Sequence, residues 1–120
     1  MEIPQTGGCQ CGTVRYEIIE PPRMVYACHC TECQRMTSSA FSMALVLPAE
    51  AFRVLSGAPR AVDYKTGSGR IAIRWICPDC GSWIGVGPSI AAVRNVRAGT
   101  LDDTSWLRPT VQFWTSRENP

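Results

Sequence analysis

Cys9-Gln10-Cys11-Gly12, near the start of the chain, and Cys77-Pro78-Asp79-Cys80-Gly81, in its second half, decide how the fold is read. A tetrahedral zinc ion with bonds of about 2.3 Å holds its sulfurs roughly 3.8 Å apart, and CxC and CxxC spacings reach that separation across a tight turn. Glycine beside such a pair permits a positive φ and lets backbone N–H groups approach the sulfurs. Gly8, Gly12 and Gly81 stand in those places. Two cysteines from each group make a closed four-sulfur site: Cys9, Cys11, Cys77 and Cys80. A filled shell leaves no position for substrate, so this site is expected to be structural.

A third group, Cys28-His29-Cys30-Thr31-Glu32-Cys33, brings the cysteines to seven. An odd count defeats a purely intrachain disulfide framework. Setting four aside leaves Cys28, Cys30 and Cys33. Three ligands plus one open position is the count of a reactive zinc, which is the favoured reading. Two alternatives stay open: three ordinary buried thiols, or a second closed site completed by His29. Against the latter, His29 lies between two ligands, and on an extended segment its side chain points away from the sulfurs.

Around these groups the 120 residues read as one domain, 1–120, of all-β class. Thr13–Ile18 alternates, with Val14, Tyr16 and Ile18 on one face. Arg23–Ala27, Phe52–Leu55, Ala61–Lys65, Arg70–Ile76, Ser82–Val86, Ile90–Ala98 and Thr110–Thr115 read as further short strands, and the apolar run Ala40–Leu47 as a buried one. Pro48–Ala51 suits a single helical turn with proline at its start. Ser56-Gly57-Ala58-Pro59 and Thr66-Gly67-Ser68-Gly69 are turns; the latter lacks the lysine end of a phosphate loop. No segment of helical length shows a helical period. Trp75, Trp83, Trp106 and Trp114 are expected to pack in the core or on sheet faces.

Met1-Glu2-Ile3-Pro4 lacks a basic, apolar leader, and no apolar run approaches the roughly 18 residues of a membrane span. A cytoplasmic protein is expected, where clustered thiols mean metal or catalysis. The formal charge is +2, and seven thiolates against two divalent zinc ions would bring it to −1. No general affinity for nucleic acid or membrane follows.

These motifs resemble the glutathione-dependent formaldehyde-activating enzyme family, which also includes a centromere protein V-like branch. The matching residues are Gly7-Gly8-Cys9-Gln10-Cys11-Gly12, Cys28-His29-Cys30 with Cys33-Gln34-Arg35, Cys77-Pro78-Asp79-Cys80-Gly81 and Gly99-Thr100-Leu101-Asp102. The resemblance implies a β-tent of two packed antiparallel sheets. It implies two zinc ions, a structural one on Cys9, Cys11, Cys77 and Cys80 and a catalytic, labile one on Cys28, Cys30 and Cys33. It also implies a carbon–sulfur lyase acting on S-(hydroxymethyl)glutathione. Many members carry glycine where Ser38 stands.

Thiol chemistry also follows from the residues themselves. Three thiolates donate much charge to zinc, which makes it a weak acidifier of water and disfavours a hydrolase. A fourth, substrate thiolate would stay nucleophilic and could attack formaldehyde. The partners expected are therefore a small thiol such as glutathione and a small aldehyde. Arg35, Arg70 and Arg74 are candidate partners for the thiol's carboxylates. For the alkoxide's proton the candidates are His29 and water, with a packed imidazole the favoured reading of His29. A zinc-ribbon nucleic-acid module lacks a dense basic cluster here. A nucleobase deaminase would need a glutamate two residues after its histidine ligand and a Pro-Cys-x-x-Cys order, but no such glutamate follows His29 and Pro78 lies inside the cysteine pair. The competing function class is a non-catalytic, zinc-stabilised interaction domain.

Overall fold

Alternation and turn chemistry lay out most of the strands in the computed structural model, which describes residues 2–67, 69–88 and 93–113. Val14, Tyr16 and Ile18 are fully buried. The last two lie on β2 (Arg15–Ile18), between β1 (Gln5–Gly8) and β5 (Phe52–Ser56) in a three-stranded antiparallel sheet. A second sheet holds seven strands. They are β3 (Met24–Cys28), β4 (Ser42–Pro48), β6 (Arg60–Lys65), β7 (Ile71–Ile76), β8 (Trp83–Pro88), β9 (Val93–Arg97) and β10 (Val111–Phe113), in the order β10-β3-β4-β9-β8-β7-β6. The apolar run on β4 is buried on both faces, as a central strand requires. Leu45, Leu47, Ile84 and Val96 of the large sheet meet Val14, Tyr16 and Ile18 of the small one in a single core cluster. This is the two-sheet, all-β architecture expected.

Several details differ from the sequence reading. The edge pair β10–β3 is parallel, so the large sheet is mixed. Phe52–Ser56 and Arg60–Lys65 flank the turn at Gly57 but join different sheets. Gly57 has φ +79°, and a Cβ there would strike the Thr13 carbonyl at 2.5 Å. The strand β1 went unread because Gly7-Gly8 is poor strand composition. Tertiary packing explains it: a Cβ on Gly7 would run into the Tyr16 hydroxyl and the Thr100 carbonyl. Residues 90–92 of one expected strand, Trp114 with the end of another, and Ser68 of the expected hairpin loop lie outside the described residues. The turn after Pro48 is a 3-10 turn, Ala49–Ala51. Among the described residues no helix is long and apolar enough to cross a membrane.

The largest correction is an α-helix, α1 (Thr31–Thr37), where none was expected. Seven residues are too few to display a period and too few to be stable alone. The cap is instead a cysteine: Cys30 Sγ accepts the Cys33 N–H at 3.3 Å. At the other end Ser38 closes the helix in the left-handed region, φ 52° and ψ 38°, with its N–H on the Gln34 carbonyl. A β-carbon is unfavourable there, and glycine is free of that strain. Ser38→Gly is therefore expected to stabilise the fold by about 0.5–1 kcal/mol, after allowing for the greater unfolded-state freedom of glycine. A urea midpoint that stays or falls would refute the strain argument.

Candidate metal centres

Two turns build the first centre. Cys9 follows β1, and Gly12 (φ +83°) folds its N–H back onto the Cys9 carbonyl at 3.2 Å. Cys77 follows β7, and Gly81 (φ +77°) folds its N–H onto the Cys77 carbonyl at 2.9 Å. The sulfurs of Cys9, Cys11, Cys77 and Cys80 all lie within 4.8 Å of one another. Cys9 and Cys11 are 3.5 Å apart, Cys11 and Cys77 3.8 Å. These separations far exceed the roughly 2.05 Å of a disulfide and match two ligands of one tetrahedral ion. The Val14 N–H reaches Cys9 Sγ at 3.2 Å.

Ser82 supports this group, and sequence reasoning passed over it. Its hydroxyl oxygen accepts the Gln10 N–H at 3.0 Å, which leaves the hydroxyl hydrogen for Cys80 Sγ, 3.1 Å away. That hydroxyl, helped by the Ser82 N–H, pulls the Cys80 thiol down to about 5. Cys80 is thus a thiolate at neutral pH, which is the form a metal takes.

The second centre forms where β3 runs into α1. Cys28 ends the strand, Cys30 caps the helix and Cys33 lies in its first turn. Their sulfurs too lie within 4.8 Å of one another. Burial pushes the Cys28 thiol up to about 12 and raises Cys33 as well. A divalent ion reverses that preference, because its charge outweighs the desolvation of a thiolate. Both donor sets, all sulfur and without a disulfide, fit zinc.

His29 is not part of the three-sulfur group. Its Nε2 is 2.8 Å from the Gln112 side-chain oxygen and its ring tilts against Phe41 with centroids 5.4 Å apart. Of the arginines singled out, Arg35 and Arg74 line a cleft of about 300 Å³ beside Cys33, together with Tyr64, Lys65 and Trp83. Arg70 is exposed and does not line that cleft. Arg74 stacks 4.2 Å over the Tyr64 ring. Trp83 is therefore a cleft wall, while Trp75 and Trp106 pack on the core.

A further arginine, Arg97, went unnoticed because an arginine on an alternating strand reads as solvated. It is buried and lies over Trp83 at 4.3 Å. It shares with Ser42, Met36 and Trp83 a second cleft of about 440 Å³. A third, apolar cleft of about 270 Å³ opens between the sheets at Phe52, Trp75 and Val96, and neither cysteine group lines it.

Among solved structures, that of a Rhodobacter sphaeroides protein is similar, with a TM-score of 0.63 and 23% identity over 90% of this chain and 98% of that one. At that identity the likeness speaks for the fold. The sequence itself carries the assignment further. The family model described as glutathione-dependent formaldehyde-activating enzyme matches residues 4–117, a span holding both cysteine centres, and the chain belongs to that family.

Proposed function

We propose that this chain is a zinc-dependent carbon–sulfur lyase of the cytoplasm. In this reading the sulfur of glutathione or a related thiol adds reversibly to the carbon of formaldehyde. The new C–S bond takes the thiolate pair, the carbonyl π pair moves to oxygen, and a solvent proton completes S-(hydroxymethyl)glutathione. The observation carrying the proposal is the three-sulfur group of Cys28, Cys30 and Cys33, whose Cys33 borders a cleft lined by three cationic side chains and one acidic one, Glu32. Zinc bound there would keep an incoming thiol deprotonated near neutral pH. The second zinc, on Cys9, Cys11, Cys77 and Cys80, is assigned a structural role within one domain, 1–120.

The chain's residues have separable tasks. Cys28, Cys30 and Cys33 hold the metal. Arg35, Lys65 and Arg74 face the cleft and suit the carboxylates of a glutathione-like thiol. Tyr64 and Trp83 wall the same space. His29, bonded to Gln112 and packed on Phe41, is a support for the segment between two ligands, so the proton comes from water.

Thiols add to formaldehyde without an enzyme, so the test is acceleration over a matched blank. Glutathione–formaldehyde exchange at equilibrium, followed by NMR, should be faster with the native protein. It should return to the blank rate with Cys30→Ser while the fold and the first zinc persist. Exchange no faster than the blank would overturn the lyase reading in favour of a zinc-stabilised interaction domain.

A further inference from the structure

Arg97 is a guanidinium only 7% exposed, and neither ion pair among the described residues includes it. A buried charge without a counter-charge is costly, and such groups are normally paired. Its Nη1 donates to Ser42 Oγ at 2.6 Å and its Nη2 to the Tyr26 hydroxyl at 3.1 Å. Both partners are neutral, so neither supplies the missing charge.

The strand register shows where that charge lies. Ser42 pairs with Cys28 across β3 and β4, and Arg97 pairs with Ala44 across β4 and β9. Guanidinium carries donors only, so Ser42 Oγ must accept from Arg97. Its own hydroxyl hydrogen is then directed elsewhere, and Ser42 lies directly opposite Cys28 in the sheet. Tyr26, the other partner of Arg97, shares a buried cluster with Cys28, against which Cys30 and Cys33 pack. Both hydroxyls that accept from Arg97 therefore belong to residues set beside the ligand cysteines.

We infer that Arg97 is the counter-charge of the three-cysteine metal centre and fixes the Ser42 hydroxyl beside it. The inference rests on the reading of Cys28, Cys30 and Cys33 as metal ligands. Three thiolates around a divalent ion would sum to −1, and Arg97 sets a buried positive charge against it. That charge would lessen the repulsion a further anionic sulfur meets. Arg97 acts through Ser42 and is a positioning residue. Trp83 beneath it holds the guanidinium plane by cation–π contact.

The test uses protein loaded with two zinc ions and challenged with a colorimetric chelator, in the parent and in Ser42→Ala, Arg97→Lys and Arg97→Met. Loss of a partner that supports a metal ligand typically weakens metal affinity about 10- to 100-fold. Arg97→Met should release the weaker-held zinc at about 10- to 100-fold lower chelator, with Ser42→Ala shifted the same way by less. Arg97→Lys should fall between parent and methionine, since it keeps the charge and loses the fork. The tighter zinc should be unaffected. In cobalt-substituted protein the sulfur-to-cobalt absorption band should move in Ser42→Ala, a change that mere loosening of the fold does not produce. Parent-like release in Ser42→Ala and Arg97→Met, or equal weakening of both zinc ions, overturns the inference. If Arg97→Met does not fold, Ser42→Ala decides alone. A parent that takes up only one zinc overturns this inference and the proposed metal centre together, whereas a two-zinc parent with parent-like variants overturns this inference only.

Discussion

Cys77→Ser is expected to lose the zinc of the four-sulfur group and to unfold at temperatures where the parent is intact. Cys77 is fully buried, and its sulfur sits 3.8 Å from that of Cys11, 66 residues away along the chain. It follows β7 of the large sheet, while Cys9 follows β1 of the small one, so one ion held there would clamp the two sheets. Structural zinc is worth roughly 10–16 kcal/mol in small domains, against a total stability of about 5–15 kcal/mol for a typical fold. Serine keeps the shape but is a poor ligand, and it leaves a buried hydroxyl without its metal. The measurements are zinc content and thermal unfolding. Two zinc ions per chain with an unchanged melting temperature would refute the clamp.

Tyr16→Ala is expected to cost about 3–5 kcal/mol, the range for deleting a buried aromatic ring. The ring is wholly buried, with its centroid 5.0 Å from that of Phe52. Its hydroxyl is also committed. Thr100 donates its own hydroxyl to the Arg97 carbonyl at 2.8 Å, so it must accept from Tyr16 at 2.5 Å. Tyr16→Phe removes only that bond and should cost about 1 kcal/mol. The pair also predicts a pH effect. Burial pushes the Tyr16 phenol up to about 12 from an ordinary value of 10.0. Above the ordinary value the unfolded chain releases this proton and the folded chain keeps it. The stability tied to Tyr16 is therefore full below pH 10 and declines as pH climbs towards about 12. Tyr16→Phe should lose that part of the alkaline decline. Denaturant melts of the three proteins at neutral and alkaline pH check both claims, and a parent and Tyr16→Phe with parallel pH curves would refute the second.

Much of this architecture was legible because the strongest signals are local. CxC and CxxC spacings name their own turns, and the alternation through Val14, Tyr16 and Ile18 needs no partner to be recognised. The unread elements depend on distant residues. Gly7 makes sense only once Tyr16 and Thr100 are known to lie over it. The helix α1 is held by a cysteine cap and by its neighbours, and not by propensity. Arg97 looks like a surface arginine until Ser42, Tyr26 and Trp83 are assembled around it from three other strands. The helix also gives Ser38 its meaning: it forms a left-handed helix end, at a position that reads in sequence as plain loop.

Synthesis proceeds from the amino end, and the clamp between Cys9, Cys11, Cys77 and Cys80 makes that order matter. When Cys33 leaves the ribosome, five of the seven thiols are already out, and the partners of Cys9 and Cys11 do not yet exist. The stretch from Cys33 to Cys80 takes roughly 2–9 s at about 5–20 residues per second. During that interval a CxC pair and a three-cysteine segment share the nascent chain, with enough sulfur between them to hold an ion in the wrong combination. The three-cysteine segment closes over a handful of residues, while the clamp spans 66 between Cys11 and Cys77 and has the larger entropy of closure to overcome. Metal supply is thus a matter of timing as well as amount. An ion captured early by Cys9 and Cys11 together with the middle cysteines would have to be surrendered before it could clamp the two sheets.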